Sequence, residues 1–161
     1  MVTDALPAAG LGLEPPEPGV MERPPRNPKE PILTRRALYY IVCIGVICAI
    51  LTLAMFMLHS GLGVDYARTA AFMFLVTIQL YHALNCRSAD LSLFKIGAFT
   101  NPRLLLAILL SMGLQLAAIY AAPHIFEVVP MDVWHLALIV VLASSIVLIE
   151  ECRKLLKVRT T

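Results

Sequence analysis

Residues 37–58 form one continuous apolar segment of 22 residues that contains no charged side chain. A bilayer core of about 30 Å needs about 20 apolar residues in a helix to cross it. In lipid, the backbone N–H and C=O groups of a single segment can be satisfied only by helical hydrogen bonds within that segment. This stretch therefore predicts a transmembrane helix and directs the chain to the all-α class of membrane protein.

Three shorter apolar segments follow, at about residues 68–85, 103–122 and 132–150. Turn-forming residues separate the segments: a Gly-Leu-Gly run at 61–63, the pair Asn101-Pro102, and prolines at 123 and 130. The composition agrees, because 59% of the residues are hydrophobic and 15% are charged, against about 45–50% and about 25% in soluble domains. We predict an all-α membrane protein with a four-transmembrane-helix bundle within residues 37–152.

Twelve of the thirteen Lys and Arg residues lie on one side of the four predicted helices. They occur before residue 37, in or next to the loop between the second and third helices, or from residue 153 onwards, and Arg68 is the exception. Membrane proteins keep such residues on the cytoplasmic side. Both termini are therefore expected to be cytoplasmic, including a basic tail at 153–161. Glu150 and Glu151, followed by Arg153 and Lys154, predict that this tail is amphipathic.

A cytoplasmic segment rich in proline is predicted at residues 14–36, which contain seven prolines. Each proline removes a backbone N–H and fixes φ, so this segment cannot be a continuous helix. An extended, partly polyproline loop is expected. Two readings stay open: a flexible linker, or a stiff strap that docks on another domain through Arg23, Arg26 and Lys29.

Polar side chains near the N-terminus are candidates for an ion site. Thr3 and Asp4 offer a hydroxyl and a carboxylate, which are hard oxygen ligands suited to Ca²⁺ or a similar cation. Pro7 lies three residues later and would free a backbone carbonyl of the preceding turn, as in the broken helices of transporters. The alternative is that residues 1–13 form an exposed N-terminal tail.

Gln79 lies in the middle of the second predicted span. Its amide oxygen could ligate an ion, or the amide could hydrogen-bond to a neighbouring helix, which is the commoner role. His82 follows at i+3 and shares its helical face, and we expect Asn85 to extend that face by another turn.

Other kinds of site are disfavoured by the sequence. We find no nucleophile with a partner base and no glycine-rich phosphate loop. The four cysteines lack the paired spacing of a zinc site, so they are expected to be ordinary packing residues. A net charge of +2 is too small to indicate a nucleic-acid partner.

The segment VTDALPAAGLGLEPPEPGVMERPPRNPKEPIL, residues 2–33, resembles part of the P-type cation pumps of the calcium-transporting kind. It is similar to the second half of their sixth transmembrane helix and the loop that follows, although Ala5 stands where Gly is usual. VTIQLYHALNCRS, residues 76–88, is similar to the eighth helix, and NPRLLLAILLSMGLQL, residues 101–116, to the ninth. The resemblance covers essentially the whole chain.

The resemblance implies that the four spans are helices seven to ten of such a pump and that residues 1–13 are the C-terminal half of a broken ion-binding helix. Thr3 and Asp4 match ligand positions on that helix. Gln79 stands where the two-site pumps have a Glu ligand, so one Ca²⁺ per cycle is the hypothesis. No catalytic or cofactor-binding residue is implied in this chain. The parent pump would use ATP, Mg²⁺ and a transported cation, expected to be Ca²⁺.

We therefore expect the C-terminal transmembrane portion of a calcium-like cation-transporting ATPase, supporting ATP-driven transport without being competent alone, because the phosphorylation and nucleotide-binding domains are missing. Its partners would be membrane lipid and the remaining pump domains, in the same or another chain, within the plasma membrane. The alternatives are a stand-alone membrane interaction or regulatory protein, or an inactive truncated gene product.

Overall fold

The computed structural model describes residues 2–16, 21, 31, 33–88, 91–97 and 99–158, without the side chains of residues 2, 3, 157 and 158. Most of the predicted proline-rich segment, with Arg23, Arg26 and Lys29, lies outside these residues, as does the end of the basic tail. In the described ranges every regular element is helical: α1 Val2–Gly12, α2 Arg35–His59, α3 Val64–Asn85, α4 Leu93–Ile96, α5 Pro102–Tyr120, α6 Pro123–Phe126, α7 Val133–Ala143 and α8 Ser145–Val158.

The ends of the longer helices follow from local sequence signals. The Thr34 hydroxyl accepts a hydrogen bond from the Ala37 N–H at 3.2 Å and caps the start of α2. At the start of α5, the Asn101 side chain accepts from the Leu104 N–H at 3.0 Å, and Pro102 occupies the first helical position. Gly63, with φ of 107°, links a 3₁₀ turn after α2 to α3, a conformation that favours glycine.

Within the described ranges, three helical segments are long and apolar enough to cross a membrane: Arg35–Leu62, Pro102–Tyr120 and Val133–Leu156, with mean hydropathies of 2.9, 1.8 and 2.2. The third combines α7 and α8, which are separated by a break at Ser144 where its hydroxyl donates to the Val141 carbonyl at 2.6 Å. The predicted all-α membrane fold is confirmed. At 22 residues α3 is about 33 Å long and could also span, but it is more polar, so the fourth span stays a prediction.

The centre of the bundle is α3, which contacts α1, α2, α5, α7 and α8. Its residues Met73, Phe74 and Ile78 are almost completely buried and form the core together with Ile119 of α5 and Ile139 of α7. In a membrane such packing stabilises through van der Waals contacts between the helices, because lipid tails are as apolar as these side chains. The polar residues of α3 are thereby held at defined positions relative to every neighbouring helix.

The backbones of α1 and α5 meet at Gly10. A Cβ atom placed on Gly10 would lie 2.9 Å from the Cα atom of Leu104. Glycine allows this approach because it carries no side chain, as in the small-residue contacts of membrane helices. The crossing point of α1 on α5 is therefore determined by this glycine.

A polar network, which we call the junction, joins the ends of these helices and consists of Glu14, Arg87, Thr100 and Asn101. The Arg87 Nε donates to the Glu14 Oε1 at 2.8 Å, and its Nη2 donates to the Thr100 Oγ1 at 2.6 Å. Asn101 Nδ2 donates to the Glu14 Oε2 at 2.6 Å and to the Gly10 carbonyl at 3.3 Å. The junction ties the segment after α1 to the segment after α3 and to the start of α5.

We expect Gly10→Ala to destabilise the fold, because the new methyl group would meet backbone that cannot move aside. The expected loss is about 1–3 kcal/mol in free energy of unfolding, measured by thermal or denaturant unfolding in detergent. Gly113→Ala is the matched control: a Cβ at Gly113, in the exposed face of α5, meets no atom within 4 Å, so stability should be kept or slightly raised. Equal stability of the two variants would contradict the close contact.

The junction should weaken in acid. Burial opposes ionisation of Glu14, but the hydrogen bonds from Arg87 and Asn101 and the charge of Arg87 outweigh it and lower the pKa of this carboxyl from its usual 4.5. A carboxyl with a lowered pKa in the folded state contributes stability above its unfolded pKa and loses it as the pH falls through the folded pKa. The stability difference between the natural chain and Glu14→Gln should be constant near neutral pH and shrink below about pH 4.5. A pH-independent difference would show that Glu14 is not ionised in the fold.

Candidate cation site between α1 and α3

An open groove of about 230 Å³, called the cavity below, lies between α1 and α3. Two of the three residues proposed from the sequence as cation ligands, Asp4 of α1 and Gln79 of α3, lie in its wall. The other residues that line it are Pro7, Ala8, Leu11, Leu80, His82, Ala83 and Cys86. The fold therefore brings together two side chains that are 75 positions apart in the sequence.

Both ligand candidates are accessible. Asp4 and Gln79 are exposed, and neither side chain forms a hydrogen bond or ion pair with another described residue. The alternative of an interhelical hydrogen bond for Gln79 therefore has no partner among the residues that the structure describes. A carboxylate and an amide oxygen on one wall are the kinds of donor that hard cations take.

The backbone of α1 has a carbonyl without its helical donor one residue before Asp4. Pro7 is buried inside this helix and has no N–H, so it cannot donate to the carbonyl of residue 3 one turn earlier. A carbonyl released in this way is a usual ion ligand in membrane transport helices. Thr3 lies in the same turn, but its side chain is outside the described residues, so its role as a ligand stays a prediction.

The face that Gln79 shares with its neighbours differs in part from our expectation. His82 lines the cavity as expected, but Asn85 does not: it is buried and donates through Nδ2 to the Ile146 carbonyl of α8 at 3.3 Å. The reason is the helical period, since a residue at i+6 lies about 120° away from residue i, whereas i+7 returns to the same face. Cys86 at i+7 accordingly lines the cavity.

A buried ionic cluster next to this cavity was missed by our sequence reasoning. Glu150 is completely buried, receives a hydrogen bond from the Tyr40 hydroxyl at 3.0 Å, and pairs with Arg153 at 2.9 Å. Glu151 and Lys154 are also buried, whereas Leu155 and Leu156 are exposed, so α8 is amphipathic as expected but its charged face is turned toward the protein. The physical reason is that the charged turn of α8 packs against α3 and the loop that follows α3. The Lys154 Nζ, for example, donates a hydrogen bond to the Asn85 carbonyl at the end of α3. The sequence signal for this cluster was the i, i+3 spacing of Glu150 and Arg153, which allows an ion pair on one face of a helix.

The described residues do not provide a complete set of ligands for a cation. Ca²⁺ takes six to eight oxygen ligands, whereas the wall offers the side-chain oxygens of Asp4 and Gln79. Among the residues that the structure describes, no group of three or more His, Cys, Asp or Glu is placed to hold a metal ion. Further ligands would have to come from outside these helices.

These features define a class: an all-α membrane domain in which Asp4 of the N-terminal helix and Gln79 of the central helix line one cavity. Residues 1–156 match the family model described as "Cation transporting ATPase, C-terminus". The chain belongs to this family. The match confirms the resemblance to the C-terminal region of P-type, calcium-pump-like ATPases.

Relatives from three organisms agree. The chain is 37% identical over 146 residues to the calcium-transporting ATPase of Bacillus subtilis, covering 86% of this chain and 16% of that protein. It is 34% identical over 160 residues to the calcium-transporting ATPase type 2C member 2 of Rattus norvegicus, covering 96% and 17%. It is 34% identical over 166 residues to calcium-transporting ATPase 1 of Yarrowia lipolytica, covering 100% and 18%. The chain thus spans about a sixth of the length of these relatives.

The shared cavity predicts that cysteines at positions 4 and 79 can be bridged. In a chain whose four natural cysteines are replaced by serine, Asp4→Cys with Gln79→Cys should form an intramolecular bridge with a short bis-maleimide, detected by mass spectrometry. The control pair is Asp4→Cys with Arg68→Cys, because Arg68 is exposed in the first turns of α3, far from the cavity. Equal bridging of both pairs would contradict the proximity of residues 4 and 79.

Proposed function

We propose that this chain is the C-terminal membrane part of an ATP-driven, calcium-transporting pump and that it supplies part of the cation site. One observation carries the proposal: Asp4 and Gln79, from separate helices, line a single cavity. Membership of the cation-transporting ATPase family supports it. The remaining ligands and the ATP- and Mg²⁺-dependent steps would belong to the other pump domains, in the same or another chain.

In this proposal each ligand has a distinct role. Asp4 supplies the negative charge that offsets dehydration of the cation, and the carbonyl of residue 3, with the Thr3 hydroxyl, supplies neutral oxygens on the same turn. Gln79 contributes an amide oxygen without charge. A site with a single carboxylate from these helices suits one divalent cation better than two, so we propose one Ca²⁺ per cycle.

We further propose that the proline-rich segment before α2 and the C-terminal tail face the cytoplasm and that the protein resides in the plasma membrane. The support is the distribution of twelve of the thirteen Lys and Arg residues. In this orientation the junction and the Glu150 cluster lie at the cytoplasmic end of the bundle. The turn between α2 and α3 then lies at the outer end.

The test uses a complete pump. Residues 1–161 replace the corresponding region of the Bacillus subtilis calcium-transporting ATPase, and inverted vesicles are assayed for ATP-driven uptake of radioactive Ca²⁺. Asp4→Asn should weaken the apparent Ca²⁺ affinity by more than about 100-fold, because changes to residues one shell outside a metal already cost about 10–100-fold. Gln79→Ala should weaken it less, since a neutral ligand is lost.

Asp65→Asn is the matched control: Asp65 is exposed in the first turn of α3 and pairs with Arg68 at 3.5 Å. It should leave uptake unchanged. Undiminished uptake by Asp4→Asn would refute a ligand role for Asp4. A chimera without any uptake, despite correct insertion, would favour the regulatory or inactive alternatives.

A further inference from the structure

We propose that Arg87 is a positioning residue of the cation site: through Glu14 and Asn101 it holds the end of α1 against α3 and α5 and so sets the position of Asp4 opposite Gln79. This inference rests on the proposed function of the cavity. Arg87 does not line that cavity, so its influence on the cation acts through the placement of a helix.

The hydrogen bonds of Arg87 reach three acceptors in two separate parts of the chain. Nε donates to the Glu14 carboxylate, Nη1 to the Gly97 carbonyl at 2.8 Å, and Nη2 to the Thr100 hydroxyl. A planar guanidinium presents its donors in a rigid fork, so one side chain can hold several acceptors in a defined relative geometry. A lysine at this position could keep the charge pair but not all three contacts.

The junction joins the ends of α1 and α3, the two helices that carry the ligand candidates. Arg87 lies two residues after the end of α3, and Glu14 lies two residues after the end of α1. Along the helices, Asp4 is about 12 Å from the end of α1 and Gln79 about 9 Å from the end of α3, at 1.5 Å per residue. A displacement at the junction is therefore carried to the cavity within two or three helical turns.

The ion pair is well shielded from water. The side chains of Arg87 and Glu14 are 1% and 17% exposed, and the Nη2 to Oε1 distance is 2.7 Å. Loss of Arg87 would leave the Glu14 carboxylate largely buried with Asn101 as its remaining described donor. Because an unpaired buried charge is costly, the segment after α1 would move to find water.

The position of α1 depends on such contacts because the helix is weak by itself. Pro7 lies inside it and removes one of its backbone hydrogen bonds. Its remaining contacts in the described structure are with α3 and α5. The junction is the polar contact that sets how α1 lies on these two helices.

The first arm of the test measures transport in the chimeric pump. Arg87→Ala should raise the Ca²⁺ concentration for half-maximal uptake by about 2- to 30-fold, the range of such indirect couplings, with little change in the maximal rate. Arg87→Lys should restore part of the affinity. Glu14→Gln, a milder change, should shift affinity in the same direction. Arg103→Ala is the control, because Arg103 is an exposed arginine at the start of α5 outside the junction, and should have no effect.

The second arm measures backbone hydrogen exchange of the full 161-residue chain in lipid nanodiscs. Arg87→Ala should accelerate exchange of the α1 amides, and Arg103→Ala should not. Faster exchange with reduced Ca²⁺ affinity supports the inference. Faster exchange with unchanged affinity, or unchanged exchange, overturns it. A natural-sequence chimera without uptake refutes the proposed function instead, while the exchange experiment still reports on the junction.

Discussion

Charged groups that leave water at the edge of a membrane need partners inside the protein, and this requirement organises one end of the bundle. Arg87 pairs with Glu14, and Glu150 pairs with Arg153 and Tyr40. Glu151 accepts hydrogen bonds from the Ser92 hydroxyl and from the Leu93 N–H. These pairs connect α1, α2, α8 and the loop after α3, so the relative positions of four segments follow from the pairing of a few charges.

The opposite end of the bundle is joined by aromatic rings. His59 at the end of α2 lies 6.1 Å from Tyr66 of α3 and 5.2 Å from His135 of α7, measured between ring centroids, and Tyr66 and His135 are 5.5 Å apart. Ring contacts at these distances stabilise by about 0.5–1.5 kcal/mol beyond buried area. One end of α3 is thus held by directional charge pairs, and the other by less directional ring packing.

Local features were predictable from the sequence, and long-range ones were not. The charge-free segment 37–58 predicted a transmembrane helix, because only helical hydrogen bonds can satisfy the backbone of a single segment in lipid. The helix α2 includes this whole segment. The oxygen donors Asp4 and Gln79 were proposed from residue type, but only the fold could place them in one cavity. Arg87 looked like a loop cation, because its partner Glu14 is 73 residues away. The burial of Glu150 likewise depends on Tyr40, which is 110 residues away.

The glycine contact between α1 and α5 has a mechanical consequence. Since the backbones touch at Gly10, a change in the tilt of α1 rotates the helix about that point. Asp4 lies six residues before Gly10, and α1 ends at Gly12, two residues after it, so such a tilt moves Asp4 and the start of the segment that carries Glu14 in opposite directions. Restraint of one end of the helix therefore restrains the other, and its greater distance from Gly10 makes Asp4 move farther than the end of α1.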